Sequence, residues 1–247
     1  MLVKSFEAQA FGTNCYVLAA AEGEPCVIVD PGIGVLTTLD ALLAEYRLTA
    51  AAVLLTHGHL DHCFSVAPVC GARGITAYVH PGDREMLADP AKGLSMSLTE
   101  LFGGRMTYSE PERVEPLPDG GTITVAGIEF TVDHAPGHTR GSVLFRLPGA
   151  SGSPGASGSR GESGSPGESE ELLLSGDVLF AGSIGRTDLP GGSLPQMMTS
   201  LRDKILTLDD DIVVLPGHGP ATTIGRERRS NPYLLEVAEG PGQMRGW

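Results

Sequence analysis

Cysteine, long apolar runs and positive charge are all scarce in this chain of 247 residues. The four cysteines are scattered and form no Cys-x-x-Cys pair, which argues against the disulfide framework of a small secreted protein. No apolar run approaches the roughly 18 residues that a membrane span requires. The first seven residues lack the apolar core of a signal peptide. We therefore expect a cytoplasmic protein with reduced thiols and no membrane association.

The charge balance narrows the range of partners. Lysine and arginine number 17 against 30 aspartates and glutamates, for a formal net charge of −13. A nucleic-acid partner usually requires a basic face, so we expect none. Bound divalent cations would add positive charge locally, so a small anionic substrate stays acceptable. The hydrophobic content of 41% is enough for one sandwich-type domain over residues 1–247.

Histidine is concentrated in the short stretch from Thr56 to His62. His57 and His59 are two residues apart, so in an extended segment they project to the same side. Asp61 and His62 follow and need not reach the same ion. Imidazole nitrogen and carboxylate oxygen are ligands that borderline divalent metals such as Zn²⁺ prefer. One loop therefore suffices for ligands to two metals. A polar surface turn that is merely rich in histidine would not explain the further ligands downstream.

Four short apolar runs each end at a residue of metal-ligand type. Such runs, bounded by turn residues, are typical of buried strands. The loops after these runs carry His57, His138, Asp177 and His218. Five of the seven histidines lie in these loops, and only His80 and His134 do not. The sequence thus predicts that four strand ends supply one site.

In this order, the motifs resemble those of the metallo-β-lactamase-fold hydrolases, and within them the short bacterial members of the glyoxalase II group. The matching stretches are Thr56–His62, Pro136–Thr139, Gly176–Phe180, Gly185–Asp188 and Pro216–Pro220. The resemblance runs from about Thr13 to about Asn231, with one insertion. It implies an α/β fold, a four-layer αβ/βα sandwich of two facing mixed sheets with helices outside. The alternation of short strands and helices is consistent with such layers.

The resemblance also implies a site for two divalent metal ions, with zinc expected and iron or manganese as alternatives. The first ion would be bound by His57, His59 and His138, the second by Asp61, His62 and His218, and Asp177 would bridge both. A hydroxide between the ions would attack the carbonyl of a small-molecule thioester of the 2-hydroxyacyl, lactoyl type. Asp61 would be the catalytic residue that orients it. The segment after His218 is too short for the helical region with which larger members bind glutathione, so the thiol carrier stays open.

Two other functions fit parts of the same pattern. An iron-dependent persulfide dioxygenase shares the ligand motifs and the Gly185–Asp188 stretch, but it uses one iron and O₂. The Pro216–Pro220 context resembles the hydrolase branch more closely. A metal-containing binding or signalling module without catalysis would not need a bridging carboxylate such as Asp177. Metal stoichiometry and thioester turnover separate the three functions.

Four residues near the motifs are interpreted from their surroundings. His80 follows a strand and is expected to be structural. His134, by the resemblance no ligand, is expected to pack beneath the site. Cys63 directly follows the ligand loop, and we favour a buried apolar role over a reactive or metal-binding thiol. Asp30 either supports the ligand loop or makes the turn after its strand.

Apolar spacing predicts the helices. An amphipathic stripe spans Val35 to Arg47, and a second helix is predicted from about Asp61 to Cys70, ended by Gly71. Ser193 is predicted to cap the helix that carries the next apolar stripe.

The tail from Thr223 to Ala238 is predicted to be one helix. It carries Arg226, Arg228 and Arg229. A solvated basic face and an anion-binding role in contact with the substrate are the two interpretations of this arginine cluster.

An insertion rich in glycine and serine occupies residues from about 149 to 170. Glycine recurs at every third position from Gly149 to Gly167, a register typical of collagen. Proline is too rare in the tract for a triple helix, so we predict a flexible loop. Gly141–Leu147 and Glu171–Leu174 are predicted to pair across it, because lengthening a surface loop costs little.

Overall fold

The computed structural model describes residues 1–95, 103, 108–148 and 171–239. The glycine-rich insertion predicted at about 149–170 lies outside these described residues. The strands are β1 Leu2–Glu7, β2 Asn14–Ala19, β3 Pro25–Val29, β4 Thr49–Leu54, β5 Thr76–Val79, β6 Val114–Pro116, β7 Thr122–Val125, β8 Ile128–His134, β9 Val143–Leu147, β10 Leu172–Gly176, β11 Val213–Pro216 and β12 Thr222–Thr223.

Short helices connect the strands. The α-helices are α1 Leu36–Glu45, α2 Leu60–Cys63, α3 Val66–Arg73, α4 Arg84–Ala88, α5 Leu194–Ser200, α6 Ile224–Ser230 and α7 Pro232–Glu239. Two 3₁₀ turns, Pro81–Asp83 and Pro90–Gly93, flank α4. A π-helical turn, Leu201–Ile205, continues α5.

The strands form two six-stranded sheets, in the orders β1-β2-β3-β4-β5-β6 and β12-β11-β10-β9-β8-β7. In the first sheet, β3, β4, β5 and β6 run parallel. In the second, β10 and β11 are parallel and the remaining pairs are antiparallel. Parallel strands end at the same edge of a sheet, so the loops after β4 and β5 lie side by side, as do those after β10 and β11.

Side-chain alternation along the strands builds the layers. Leu172 and Leu174 of β10 pack in the core between the sheets together with Val29 of the first sheet. Leu173, which points to the opposite face, packs with Met197 of α5. Helices therefore cover the outer face of the second sheet.

The outer face of the first sheet is covered in the same way. Ile28 of β3 and Val53 of β4 share a buried cluster with Leu39 of α1 and Val69 of α3. The order helix, sheet, sheet, helix confirms the predicted four-layer αβ/βα sandwich.

The helix predicted from Asp61 to Cys70 is wrong in its bounds. The chain forms α2 and α3 with a break at Phe64–Ser65. The backbone N–H of Ser65 donates to the carbonyl of Pro31 at 3.0 Å, so it leaves the helical ladder. Gly71 lies inside α3, and the helix ends instead at Gly74, which has a φ of 63°.

The tail is also two helices rather than one. Residue Asn231 separates α6 from α7 with an extended conformation, φ −76° and ψ 119°. Pro232 explains the break, because it has no N–H to donate and disfavours helical geometry in the residue before it.

Several local predictions are confirmed. The Gln196 N–H donates to Ser193 Oγ at 3.4 Å, which caps α5. β9 pairs antiparallel with β10, with Leu147 opposite Leu172, so these two strands, which flank the insertion in the sequence, are neighbours in the sheet.

In the parts of the chain that the structure describes, no helix has the length and apolar content to cross a membrane.

Candidate metal centre

Loops at one edge of the sandwich bring the seven predicted ligands together. His57, His59, Asp61 and His62 follow β4, His138 follows β8, Asp177 follows β10 and His218 follows β11. They form three overlapping groups whose ligand atoms lie within 4.8 Å of one another: His57 with His59 and His138, His57 with His62 and Asp177, and Asp61 with His62 and His218. The first and third of these groups are the two ligand sets that the resemblance implies, the middle group draws on both, and metal binding by these atoms stays a prediction.

In the first group, three imidazoles face one another. His138 Nε2 lies 2.8 Å from His59 Nδ1 and 3.1 Å from His57 Nε2. His138 Nδ1 lies 2.8 Å from the carbonyl oxygen of Arg186 and therefore carries the donated proton. His57 Nδ1 lies 3.1 Å from Thr56 Oγ1. Thr56 Oγ1 donates its proton to Asp30 Oδ2 and so accepts from His57 Nδ1, which leaves the lone pairs of His57 and His138 on the Nε2 atoms that face each other.

Burial keeps these three rings neutral. It lowers the pKa of His59 to about 4 and that of His138 to about 3. It holds the pKa of His57 well below its ordinary value. Since a metal binds the neutral imidazole, the first group is ready to bind an ion at neutral pH without losing protons.

The second group mixes carboxylate and imidazole. His218 Nε2 lies 3.1 Å from Asp61 Oδ2 and 3.3 Å from His62 Nε2. Burial by itself would lower the pKa of His62, but Asp61, Asp177 and the bond to Asp30 outweigh it and raise the pKa to about 10. Burial would raise the pKa of Asp61, but the His62 and His218 rings hold it below its ordinary value. Without metal, this group is an ion-pair network.

Asp177 lies between the two groups. One carboxylate oxygen, Oδ1, is 3.4 Å from His62 Nε2. The other, Oδ2, is 3.5 Å from His138 Nε2 and 3.6 Å from His218 Nε2. Burial raises the pKa of Asp177 to about 6. The carboxylate therefore contacts imidazoles of both groups, which is the position of a bridging ligand.

The donor set fits two divalent ions. Buried polar atoms in proteins normally have hydrogen-bond partners, yet His59 Nε2 and Asp177 Oδ1 have none. Electron-rich nitrogens 3.1 Å apart, as in His57 and His138, repel unless a cation or proton lies between them. Seven ligands exceed the four of a tetrahedral zinc site. These residues are therefore suited to a pair of ions.

Asp30 supports both ligand groups through hydrogen bonds to Thr56 and His62. This buried residue accepts hydrogen bonds from Thr56 Oγ1 at 2.6 Å and from the Thr56 N–H at 2.8 Å. It also accepts from His62 Nδ1 at 3.0 Å. A carboxylate behind a metal-binding histidine fixes the ring and its tautomer. Of the two interpretations of Asp30, support of the ligand loop is the one with direct contacts.

Asp83 was missed by the sequence reasoning. It is fully buried and accepts from the Gly58 N–H at 2.9 Å, the Gly141 N–H at 2.7 Å and Thr139 Oγ1 at 2.6 Å. It therefore ties the loop after β4 to the loop after β8. Burial raises its pKa. The sequence offers only an aspartate after His-Pro-Gly, which reads as an ordinary helix start.

The loop that carries His218 is held by strand β2. Asn14 Nδ2 donates to the carbonyls of Pro216 at 3.0 Å and Gly219 at 2.9 Å. Tyr16 donates from its hydroxyl to Pro216 at 2.8 Å. Gly217 sits so close to the centre that a Cβ would lie 2.2 Å from Asp177 Oδ1. Only glycine fits this position without displacing the carboxylate.

A cavity of about 500 Å³ opens onto the centre. Its walls are largely apolar and include Phe11, Leu60, Leu94, Phe180 and Leu189. Arg186 adds a cation at the rim, paired with Asp188 through two bonds of 2.7 Å.

The turn that carries Phe180 is anchored from the C-terminal part of the chain. Buried Glu227 of α6 accepts from the Gly182 N–H at 2.7 Å, and Asn231 Nδ2 donates to the Ser183 carbonyl at 3.0 Å. Helix α6 thereby shapes one wall of the cavity.

The arginine cluster has other partners. Arg228 Nε lies 3.1 Å from Asp210 Oδ1, and Arg229 lies 3.7 Å from the same carboxylate. Neither these two nor Arg226 lines the cavity beside the centre in the part of the chain described. A substrate contact for the cluster stays a prediction without support from this geometry.

Three residues near the centre remain outside it. The Cys63 thiol is buried and donates to the Gly58 carbonyl at 3.4 Å, and burial raises its pKa to about 12. This is the expected inert role. His80 and His134 stack on each other with ring centroids 4.1 Å apart, and neither belongs to the three groups of ligands.

Comparison with known proteins yields one family and several close relatives. The model of the metallo-beta-lactamase superfamily matches residues 8–151 and 167–218. A protein of Mycobacterium tuberculosis is 47% identical over 235 residues, which cover 95% of this chain and 98% of that protein. The hydroxyacylglutathione hydrolase GloC of Haemophilus influenzae is 33% identical over 240 residues, which cover 95% of this chain and 98% of GloC.

Two solved structures also align with nearly the whole of this chain. The B3 metallo-beta-lactamase BLEG-1 aligns with a TM-score of 0.76 and 34% identity, covering 95% of this chain and 100% of BLEG-1. The protein TTHA1623, in a di-iron-bound form, aligns with a TM-score of 0.71 and 33% identity, covering 94% of this chain and 100% of TTHA1623.

Proposed function

The chain belongs to the metallo-beta-lactamase superfamily, and on that premise we propose that it is a binuclear metal-dependent hydrolase of 2-hydroxyacyl thioesters. The observation that carries the proposal is the arrangement of seven ligand-type side chains in two groups joined by Asp177. The 33% identity to a hydroxyacylglutathione hydrolase over nearly the whole chain supports the substrate class.

The metal pair would be held by the two groups described above, with Asp177 common to both. When bound, such ions activate water near neutral pH and polarise a carbonyl group. Zinc is the proposed metal, although the di-iron form of TTHA1623 makes iron a serious alternative. Elemental analysis of protein made without metal bias is expected to give about two ions per chain, and one iron without zinc would contradict this.

Asp61 is the proposed catalytic residue. Its side chain reaches the cavity and is held by Thr13 Oγ1, which donates to Asp61 Oδ2 at 3.1 Å. The neighbouring imidazoles keep the pKa of Asp61 below its ordinary value, so the group is a carboxylate at working pH. A carboxylate here accepts a hydrogen bond from the attacking water and orients it toward the substrate.

The cavity suits a small acyl thioester. Phe11, Leu60 and Phe180 offer apolar surface to the substrate chain, and Arg186 offers a cation at the rim. Asp188 neutralises much of that charge, so we propose weak discrimination among thiol carriers rather than a strict requirement for glutathione. A thiolate is a good leaving group, which suits a site that supplies the nucleophile.

Turnover assays test the proposal. Lactoyl thioesters of glutathione and of a short uncharged thiol are both expected to release free thiol together with lactate. Asp177→Asn is expected to lower kcat/KM by roughly a thousandfold, because a charged contact to both groups is lost. Asp40→Asn, on an exposed aspartate paired with Arg73, is the matched control and keeps the activity.

The likeness to BLEG-1 supports a second candidate, hydrolysis of β-lactams. Both reactions add water to an acyl carbon, so the same protein should be assayed with a cephalosporin. Faster turnover of the cephalosporin than of either thioester would favour that function. O₂ uptake with a persulfide and no thioester hydrolysis would establish the dioxygenase instead, and inactivity on all three substrates would favour the binding module.

A further inference from the structure

A second group of ligand-type side chains lies beside the metal centre. His80 follows β5, Asp119 precedes β7, and His134 is the last residue of β8. Each offers a nitrogen or oxygen atom within 4.8 Å of the other two. The group shares no residue with the seven ligands described above, and nothing in the proposed reaction uses it.

His134 has a nitrogen prepared for coordination. Its Nε2 lies 2.8 Å from the carbonyl oxygen of Arg140, which can only accept, so Nε2 carries the proton. In the neutral ring, Nδ1 then holds a lone pair, and it faces Asp119 Oδ1 at 3.5 Å. A ring N–H bonded to a backbone carbonyl is the arrangement that orients metal-binding histidines.

The distance between His134 and Asp119 also favours a shared ion. At 3.5 Å the two atoms are too far apart for a good hydrogen bond. Two ligands on one tetrahedral zinc, each with a bond of about 2.0–2.2 Å, lie roughly 3.3–3.6 Å from each other. The separation therefore matches two ligands of a single ion.

His80 supplies the third ligand. It is buried and stacks on His134 with an interplanar angle of 13°, and because the lone pair of an imidazole lies in the plane of its ring, one of the two rings must rotate before both reach the same ion. Burial lowers the pKa of His80, which keeps the ring neutral. Its Nδ1 accepts from the Gly82 N–H at 3.1 Å. Coordination through Nε2 moves the proton to Nδ1 and gives up that one hydrogen bond, whereas coordination through Nδ1 competes with it directly.

We propose that His80, Asp119 and His134 bind a third divalent ion of the zinc type. Two imidazoles and one carboxylate are a borderline ligand set, which favours Zn²⁺ over Ca²⁺ or Mg²⁺. Asp119 is 74% exposed, so the ion exchanges with solvent and binds more weakly than the pair in the centre. An ion here links His80, just before Asp83, to His134, just before His138. Asp83 holds the loops after β4 and β8 together, and His138 lies in the second of these loops, so the ion stabilises the loops that carry ligands.

Calorimetric titration of the zinc-loaded protein with further Zn²⁺ tests the third site. The wild-type chain is expected to take up about one more ion. His134→Gln and Asp119→Asn are each expected to weaken that step by more than about tenfold, since even the loss of a group that only supports a metal ligand costs 10–100-fold. The matched control for Asp119 is Asp40→Asn, whose side chain is 65% exposed and lies in a different ion pair.

Two further measurements keep the result interpretable. Thermal unfolding without metal is expected to show that His134→Gln is folded, so that lost binding is not lost structure. The variant Asp177→Asn, which damages the main centre, is expected to keep the extra binding step. Absence of a further binding step in the wild-type chain, or its persistence in both His134→Gln and Asp119→Asn, would overturn the third site and leave the thioesterase proposal untouched.

Discussion

At the scale of single residues, the two halves of the metal centre differ in their protons. Burial keeps His59 and His138 neutral, with pKa values of about 4 and about 3. His62 is the opposite case, because Asp61, Asp177 and Asp30 raise its pKa to about 10 despite burial. A metal ion binds the lone pair of each nitrogen that serves as a ligand. The second group must therefore release the proton of His62 when it binds an ion, whereas the imidazoles of the first group are already neutral.

This difference predicts a pH-dependent affinity. Below pH 10 the metal-free chain holds a proton on His62, and Asp61 and Asp177 raise the pKa of His218 as well, so binding at the second group should release at least one proton near pH 7.5. Affinity there should rise by about tenfold per pH unit for each proton released as the pH increases toward 10, and binding at the first group should stay flat above pH 5. Calorimetry in two buffers of different ionisation enthalpy measures the proton count.

Asp30→Asn provides the matched variant. Loss of the carboxylate removes one cause of the raised pKa of His62, so fewer protons should be released at pH 7.5. The same change should lower metal affinity by about 10–100-fold, because the His62 ring loses its charged partner. Equal proton release by wild type and variant would show that Asp30 does not set the state of His62.

At the scale of elements, the centre depends on contacts between loops that lie far apart in the sequence. The 3₁₀ turn Pro81–Asp83 joins the loop after β4 to the loop after β8 through one buried carboxylate. Strand β2 holds the loop of His218 through Asn14 and Tyr16. Helix α6 fixes the turn of Phe180 through Glu227. Each ligand loop is thus positioned by an element that supplies no ligand.

Asp83→Ala tests this arrangement. The change leaves the Gly58 N–H, the Gly141 N–H and the Thr139 hydroxyl without their acceptor in a buried place, and should lower the free energy of unfolding by roughly 3 kcal/mol. Metal affinity should fall as well, because His59 and His138 lose their common support. Urea unfolding and chelator competition measure the two effects. Asp89→Ala, which removes one exposed bond to the Ala91 N–H, is the control; a similar loss in both variants would contradict the special role of Asp83.

At the scale of the whole molecule, the strands on either side of the insertion pair with each other in the second sheet. β9 and β10 already pair with Leu147 opposite Leu172, and Leu172 and Leu174 lie in the core between the sheets. His138 and Asp177, which stand on opposite sides of the insertion in the sequence, meet at 3.5 Å. The fold therefore brings the two halves of the chain together by strand pairing.

Deletion of residues 151–168 should leave folding and metal content unchanged. The connection between the paired strands becomes about fourfold shorter, so reduced closure entropy should stabilise the chain by about 1 kcal/mol. Thermal unfolding and elemental analysis check both points. A variant with the same residues in scrambled order is the control for the glycine register. Loss of folded, metal-loaded protein on deletion, or on scrambling alone, would show that the tract has a structural role.

The sequence by itself determined the strand ends and the residues of metal-ligand type that follow them, and the resemblance of its motifs to a known family implied the four-layer fold and the ligand sets. It could do so because short apolar runs, turn residues and the His-x-His-x-Asp-His spacing are local signals. Local spacing could not locate the break at Ser65, since the carbonyl of Pro31 that withdraws its N–H belongs to a different loop. The helix break at Asn231 could have been predicted from the sequence alone, because Pro232 follows it directly.

Tertiary structure alone decided which residues serve the centre without binding to it. Asp83 and Glu227 sit in ordinary sequence contexts, and their roles arise because folding buries their carboxylates against N–H groups of distant loops. The stacked pair of His80 and His134, with Asp119 beside it, likewise joins three separate segments. Sequence spacing carries information about neighbours along the chain, whereas burial and charge depend on which chain segments meet. For that reason the ligand-type residues and the candidate support Asp30 could be named from the sequence, whereas Asp83, Glu227 and the protonation states could not.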